Sequence, residues 1–162
     1  MVKLKCGNKK LQVGDKAPDF TLETHNEGEL NLRWYQGRKN VVLAFYPGDF
    51  TPNCSNQIPA YNPLLKTFEE YQCQLFGISV DSISCHVAWA QSLGGIHFPL
   101  MSDYFPHGAV TSKYGILNER GYADRSVFLI DKNGIIQFVD FLDFNLMPDN
   151  DKLIEQLAKL QK

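Results

Sequence analysis

The stretch that decides the fold is VVLAFYPGDFTPNCSNQ, residues 41–57. It begins with a short, continuous apolar run, residues 41–46, which is typical of a β-strand covered on both faces. Pro47 ends this run, and a hydroxyl at Thr51 and a thiol at Cys54 follow three residues apart. Because Pro52 suits a first helical turn, the pattern predicts a strand, a short loop and a helix with Cys54 near its beginning.

Strand and helix patterns alternate along the rest of the chain. Pro59 and Pro63 predict a kink or break in the first of four predicted helices, which cover residues 52–71, 84–93, 108–114 and 149–160. Strands are predicted at residues 41–46, 74–80, 97–101, 126–130 and 135–139. The last two strands flank Asp-Lys-Asn-Gly, a sequence typical of a hairpin turn.

This order of elements predicts the fold class. Strands separated by helices pair in parallel, whereas a closing hairpin adds antiparallel strands. We therefore expect an α/β protein with a mixed central sheet and helices on both faces. The first forty residues form an N-terminal extension in which Phe20 and Leu22 alternate like a short strand. The length fits one domain over residues 1–162.

The composition excludes several classes of function. The chain is 44% apolar and 21% charged, as is ordinary for a globular protein. Its net charge of −2 provides no basic surface for nucleic acid or an acidic membrane. No apolar stretch approaches the roughly 20 residues that cross a bilayer, and no apolar core follows the basic start. We expect a cytoplasmic protein.

Cys54 is the candidate reactive group. In the first turn of a helix, backbone N–H groups lack intrahelical partners and the helix dipole is positive, so a thiolate is favoured over a thiol. The thiolate is the nucleophilic form of cysteine. Thr51 is placed to cap this helix, and its hydroxyl can also donate to a molecule bound beside Cys54. A buried structural cysteine is the alternative that position alone leaves open.

Pro47, Thr51 and Cys54 together form P-x-x-x-T-x-x-C, which resembles the active-site motif of the peroxiredoxins of the AhpC/TSA group. The likeness is closest to bacterioferritin-comigratory and one-cysteine AhpE-like members. Further blocks follow in the order found in that family: VGDKAPDFTL, GISVDS, HVAW, FPLMSD and RSVFLIDKNGIIQF. The resemblance implies a thioredoxin-like fold and a thiol-dependent peroxidase.

The resemblance also implies the roles of individual residues. Cys54 would reduce hydrogen peroxide or organic hydroperoxides and become a sulfenic acid. The Thr51 hydroxyl, nearby backbone N–H groups and the guanidinium of Arg125 would stabilise the developing charge, and Pro47 would shape the loop. Arg120 is instead predicted to be a solvated loop residue. Gln57 departs from the family, because many members have glutamate there; it can form hydrogen bonds but brings no charge.

The thiol that reduces the sulfenic acid is left open between Cys85 and an external reductant. The position five residues after Cys54 is Pro59, and no cysteine follows Cys85, so two resolving positions used in the family are absent. Cys85 lies at the start of the predicted helix 84–93 beside His86, which could assist its deprotonation. We expect Cys73 to be a core residue and Cys6 to be an exposed bystander in the leader.

The resemblance implies no cofactor. Its expected partners are a peroxide, a thioredoxin-like or other thiol reductant, and further copies of the chain in a homodimer or higher homo-oligomer. Exposed aromatic residues beside the active site would suit such an interface, the candidates being Trp34, Trp89, Tyr104 and Phe105.

Three other interpretations compete with this one. A thioredoxin-type oxidoreductase needs Cys-x-x-Cys, and residue 57 is glutamine. A metal site is disfavoured because its candidate ligands lack the usual paired spacing; they are Cys85, His86, His97 and His107. A non-enzymatic redox sensor or holdase-like protein of the same fold would share Cys54, and it stays open as the alternative function.

Overall fold

A computed structural model describes residues 9–161. The strands of this part of the chain are β1 Thr21–Thr24, β2 Gly28–Asn31, β3 Asn40–Phe45, β4 Cys73–Ser79, β5 Leu100–Ser102, β6 Ser126–Ile130 and β7 Ile136–Phe141. The α-helices are α1 Pro52–Gln57, α2 Leu65–Glu70, α3 Ile83–Ser92, α4 Ala109–Lys113 and α5 Asn150–Lys159. Two 3₁₀ segments cover Leu32–Tyr35 and Pro59–Leu64.

The strands form one mixed sheet in the order β2-β1-β5-β4-β3-β6-β7. β3 lies near the centre and pairs in parallel with β4 and antiparallel with β6. β6 and β7 form the predicted hairpin. The predicted α/β fold with a mixed sheet is therefore confirmed. The strand predicted at residues 97–101 is shorter and shifted to Leu100–Ser102, because pairing with β4 begins only at Leu100.

Each face of the sheet carries its own apolar core, since side chains alternate along a strand. From β3, Val42 and Ala44 point into a cluster with residues of α1, α2, α3 and α5. Leu43 and Phe45 point into the opposite cluster, which Val110 of α4 and the N-terminal extension complete. Helices therefore cover both faces, as predicted.

The predicted helix 52–71 is broken into three pieces. α1 ends at Gln57, a 3₁₀ segment covers Pro59–Leu64, and α2 follows. Pro59 and Pro63 lack the N–H group that a continuous α-helix requires, which explains the break predicted from these residues.

Three chain segments converge at one edge of the sheet. Phe45, the last residue of β3, pairs with Ile78 of β4 and with Ser126, the first residue of β6. The residues that follow β3 and β4 therefore leave the sheet beside the residue that precedes β6. This topology places Cys54, Asp81 and Arg125 at the same edge, although they are far apart in sequence.

No helix within residues 9–161 combines the length and the apolar character needed to cross a membrane.

Candidate active site

The Arg125 guanidinium and the Cys54 thiol lie together inside the protein. Arg125 Nη2 is 3.5 Å from Cys54 Sγ. The two residues are 1% and 0% exposed, respectively. Cys54 packs in the core cluster on the α1 face of the sheet, so apolar neighbours surround it on its other sides. The site therefore combines a buried sulfur with one cationic donor.

Gln57 is the second partner of Arg125. Arg125 Nη1 donates to Gln57 Oε1, and Gln57 Nε2 donates to the Tyr61 hydroxyl over 3.4 Å. Burial raises the pKa of Tyr61 to about 12, so this hydroxyl stays protonated at neutral pH. The amide of Gln57 thus orients the guanidinium without neutralising it.

Arg125 has no carboxylate partner among the described residues, whose ion pairs involve other side chains. A buried charge is costly unless an opposite charge lies beside it. The ionisable neighbour that hydrogen-bonds to the guanidinium is Cys54. Among the described residues, the Cys54 sulfur is therefore the group beside the guanidinium that can carry a compensating negative charge.

The segment after β7 covers this pair. The carbonyl oxygen of Phe144 accepts hydrogen bonds from Arg125 Nη2 at 3.5 Å and from Asn53 Nδ2 at 3.3 Å. The side chains of this segment are largely exposed, among them Phe144, Leu146 and Met147. A polar surface cavity of about 220 Å³ lies beside Arg125 and is also lined by Asp124, Ser126 and Phe144.

Thr51 occupies the N-cap position of α1, but its side chain does not cap the helix. Its hydroxyl instead donates to the carbonyl oxygen of Gly48 at 2.9 Å. The predicted capping bond is therefore wrong. The loop turns back on itself, with Phe50 at a φ of 61°, and this turn brings the Gly48 carbonyl within reach of the hydroxyl. Pro47 is buried at the beginning of the same loop.

The loop 46–51 is anchored by a buried polar network. The Tyr46 hydroxyl donates to Asp49 Oδ1 at 2.7 Å, and Asp49 Oδ2 lies 2.6 Å from His86 Nδ1. His86 Nε2 lies 2.9 Å from the Met101 carbonyl oxygen. Both ring nitrogens of His86 are therefore engaged, so this residue is not available as the base for Cys85 that the sequence left open.

Cys85 lies in the first turn of α3, whose N-cap is Ser82. Its Sγ points toward Asp81 Oδ1 at 3.9 Å. Burial and the neighbouring Asp49 and Asp81 carboxylates raise the pKa of Cys85 to about 11. At neutral pH this residue is therefore a protonated thiol, which is a poor nucleophile.

The donor atoms of Asp49, Asp81 and Cys85 lie within 4.8 Å of one another. The carboxylates already have partners, however. Asp81 Oδ2 accepts from Ser79 Oγ at 2.6 Å and from the Asp49 N–H at 2.9 Å. Asp49 is held by Tyr46 and His86. The histidines considered as metal ligands do not join this group, since His97 and His107 lie outside it.

Cys73 is not part of the site. Cys73 lies buried on β4, and burial raises its pKa to about 12, which agrees with its predicted core role. Cys54, Cys73 and Cys85 are all free thiols. Cys6 falls outside the described residues.

The remaining predictions divide between surface and core. Arg120 is exposed, as expected. Trp34, Tyr104 and Phe105 are exposed, whereas Trp89 is fully buried and its indole N–H donates to Ser55 Oγ at 3.2 Å. Trp89 therefore cannot serve as the exposed interface residue that the sequence allowed.

Sequence reasoning missed Asp49 and Asp81. A signal was present, since each acidic residue follows a buried strand by a few positions and the strands β3 and β4 are adjacent. The adjacency of these strands therefore predicts that both carboxylates lie at the same edge of the sheet as Cys54.

Comparison with known proteins gives consistent results. The AhpC/TSA family model matches residues 13–139, a range that includes Cys54 and Arg125. The chain is 40% identical over 151 residues to alkyl hydroperoxide reductase E of Mycobacterium tuberculosis, which covers 93% of this chain and 98% of that protein. It is 37% identical over 160 residues to the chloroplastic 2-cysteine peroxiredoxin of Chattonella marina var. antiqua, covering 93% and 81% of the two chains.

The fold is also similar to that of solved structures. The reduced 2-Cys peroxiredoxin of Plasmodium vivax superimposes with a TM-score of 0.85 at 33% sequence identity. This superposition covers 92% of the present chain and 81% of the Plasmodium protein.

Proposed function

The chain belongs to the AhpC/TSA family of peroxiredoxins and is a thiol peroxidase, and we propose that Cys54 is its peroxide-reducing residue. The observation that carries this assignment is the contact between Cys54 Sγ and the buried guanidinium of Arg125. The proposed substrates are hydrogen peroxide and organic hydroperoxides. No cofactor is needed, because the oxidised and reduced groups are the sulfur and the peroxide themselves.

In the proposed reaction, the Cys54 thiolate attacks one oxygen of the peroxide. A sulfur–oxygen bond forms, the oxygen–oxygen bond breaks, and Cys54 becomes a sulfenic acid. The second oxygen leaves as hydroxide or alkoxide and takes up a proton from water. Arg125 stabilises the developing negative charge, because its donors are fixed by Gln57 before the peroxide arrives.

Thr51 and Pro47 take supporting roles. Thr51 is the last residue before α1. Its O–H donates to Gly48, so its oxygen orients the peroxide by accepting a hydrogen bond from it. The buried Pro47 gives the loop a fixed backbone at the point where the chain leaves β3.

An external thiol is the proposed reductant. One external thiolate attacks the sulfenic sulfur, a mixed disulfide forms, and the displaced hydroxide is protonated to water. A second external thiolate then attacks the outer sulfur, so that Cys54 leaves as a thiolate and an external disulfide is released. Cys85 is the internal candidate for the first step. Its raised pKa of about 11 supports the external route instead, since very little Cys85 is ionised near pH 7. A thioredoxin-like protein or another cellular thiol can fill this role.

The exposed aromatic residues support a homodimer or higher homo-oligomer. Tyr104 and Phe105 lie on the surface after β5, and Phe105 is 85% exposed. Phe50, in the loop before α1, is also exposed. Sedimentation at several concentrations tests this assembly.

The free thiols suit a reducing compartment such as the cytoplasm. Fractionation of the native cells would test this location.

The central experiment is stopped-flow oxidation by hydrogen peroxide and by a small organic hydroperoxide. Wild-type protein should react at least ~10²-fold faster than a free thiol at the same pH, because the site stabilises the transition state. Cys54→Ser should abolish the reaction, and Cys73→Ser is the matched control. Oxidation of Cys54 no faster than that of a free thiol would support the alternative, a redox sensor or holdase-like protein.

Turnover identifies the resolving thiol. With dithiothreitol as the external reductant, Cys85→Ser should turn over at the wild-type rate. Normal single-turnover oxidation with lost multi-turnover activity in Cys85→Ser would instead assign the resolving role to Cys85.

A further inference from the structure

Asp49 and His86 form a buried acid–base pair that the chemistry proposed for Cys54 does not use. Both side chains are fully inaccessible to solvent. They lie in different parts of the fold, since Asp49 belongs to the loop 46–51 and His86 belongs to α3. The hydrogen bond between them therefore connects the loop that precedes Cys54 to α3, the helix that follows the neighbouring strand β4.

The hydrogen bonds of this pair require a shared proton. His86 Nε2 must donate, because its partner is the Met101 carbonyl oxygen, which can only accept. At the other nitrogen, Nδ1 and Asp49 Oδ2 are 2.6 Å apart, and a proton must lie between them for a bond to form. The pair is either an imidazolium with a carboxylate or an imidazole with a carboxylic acid, and both arrangements are neutral overall.

The contacts of Asp49 set the shape of the loop. Its Oδ1 accepts from Tyr46, at the beginning of the loop, and its backbone N–H donates to Asp81 after β4. The next residue, Phe50, is held at a φ of 61°, which is unfavourable for a bulky side chain. Such a conformation persists only where surrounding contacts fix it. Thr51 and α1 follow directly.

We propose that Asp49 and His86 are positioning residues for peroxide reduction: their shared proton holds the loop 46–51 so that Thr51 and Cys54 lie correctly against Arg125. This inference rests on the proposed role of Cys54. The pair touches neither Cys54 nor Arg125 in any described hydrogen bond, and so acts through the backbone of the loop.

The titratable groups that face the pair are Tyr46, Cys85, Asp81 and His25. Tyr46 and Cys85 face Asp49, and their pKa values are raised by burial and by nearby carboxylates, so both stay protonated. Asp81 is held by Ser79 and by the Asp49 N–H. His25 interacts electrostatically with both Asp49 and His86, but burial lowers its pKa. Its Nδ1 already accepts a hydrogen bond from the Leu100 N–H.

The test begins with the isosteric amide at position 49, which changes the number of shared protons without changing the shape of the side chain. In Asp49→Asn, the amide nitrogen can donate to a neutral His86 Nδ1 while the amide oxygen accepts from Tyr46. This variant should fold at pH 8. Below about pH 6.5, where an ordinary imidazole takes up a proton, a protonated His86 would face an amide N–H, and the loop should be released.

The readout is the second-order rate constant of Cys54 oxidation by hydrogen peroxide, expressed as the ratio of variant to wild type. For Asp49→Asn this ratio should lie within threefold of 1 at pH 8 and fall by a further three- to tenfold at pH 5.5, as one proton per pH unit allows. Circular dichroism at both pH values shows that the measured protein is folded. Asp151→Asn, on the exposed face of α5, is the matched control and should show no pH-dependent loss.

His86→Gln should show the opposite trend. It leaves Asp49 as a buried carboxylate without a cation, which is relieved when the carboxyl group takes up a proton. Its ratio to wild type should therefore rise as the pH is lowered from 8 to 5.5. The double variant Asp49→Asn/His86→Gln has no group that titrates at this position, so its ratio should not change with pH.

Several results would overturn the proposal. The first is a ratio of rate constants for folded Asp49→Asn that does not change with pH. The second is an Asp49→Asn variant with a lowered melting temperature but an unchanged rate constant. The third is failure of Asp49→Asn to fold at pH 8. Wild-type protein that reacts no faster than free cysteine would instead refute the proposed role of Cys54, so the two failures are distinguishable.

Discussion

Arg125 Nη2 lies 3.5 Å from Cys54 Sγ across 71 positions of sequence. The antiparallel pairing of β3 with β6 creates this contact, because it places the residue before β6 beside the loop that follows β3. The planar guanidinium contacts Gln57 with one terminal nitrogen and the sulfur with the other. Both its charge and its shape are therefore used.

Arg125→Lys should slow the oxidation of Cys54 by about 10²-fold or more, the order of loss seen when one preorganised donor is removed. A lysine ammonium is a point charge and cannot reproduce the two fixed contacts of the guanidinium. Stopped-flow oxidation with hydrogen peroxide measures the effect. Arg120→Lys, at an exposed position, is the control. A conservative variant at position 125 with wild-type kinetics would remove the guanidinium from the mechanism.

Gln57→Glu should restore a carboxylate beside Arg125 and weaken the attraction between the guanidinium and the Cys54 thiolate. We expect oxidation at pH 7 to slow by about tenfold, as befits a loss of one to two kcal/mol in a charged hydrogen bond. Gln91→Glu, on the exposed side of α3, is the control. Equal rate constants for wild type and Gln57→Glu would contradict the view that Cys54 balances the charge of Arg125.

Thr51→Val should lower the rate constant of oxidation by about tenfold, the order expected for one lost hydrogen bond, because it removes the hydroxyl oxygen that we propose accepts from the peroxide. Thr51→Ser keeps the hydroxyl and its bond to Gly48, so it should stay within a few-fold of wild type. Comparing melting temperatures separates a loosened loop from lost chemistry. A valine variant that reacts at the wild-type rate would remove the Thr51 hydroxyl from the mechanism.

Cys85 should be nearly inert toward iodoacetamide at pH 8. Its pKa of about 11 lies three units above that pH, so roughly one thiol in a thousand is ionised. Its alkylation rate should rise about tenfold per pH unit up to pH 11, since the thiolate fraction rises by that factor. Mass spectrometry of peptides after timed alkylation measures each cysteine separately.

Asp81→Asn removes one of the carboxylates beside Cys85 and should raise its alkylation rate at pH 8. Rapid labelling of Cys85 in the wild-type protein at pH 8 would return it to the list of internal resolving thiols.

The central fold could be predicted because β3, β4 and β6 are continuous apolar runs, and such runs leave little choice of structure. The strand β2 could not. Its sequence, Gly-Glu-Leu-Asn, has no alternating pattern, and it exists because it pairs with β1. Tertiary pairing, rather than local preference, decides such an edge strand.

The site was predictable to the extent that a motif records it. Cys54, Thr51 and Arg125 were found from sequence blocks, but the bond from Thr51 to Gly48 depends on the backbone turn at Phe50. The Asp49–His86 pair joins residues that are 37 positions apart through their side chains. The sequence around each residue does not indicate its partner. The pair forms only because α3 packs against the loop 46–51, which is a tertiary contact.

Arg125 has no carboxylate beside it within residues 9–161, so the net charge of this buried site depends on the oxidation state of the Cys54 sulfur. A thiolate at position 54 would neutralise the charge of Arg125, whereas a sulfenic acid is uncharged and leaves the guanidinium without a counter-charge. A sulfinate would bring back a negative charge in the same place. Of the three forms, the sulfenic acid is therefore the one that Arg125 stabilises least, which favours both its reduction by a thiol and its further oxidation by a second peroxide.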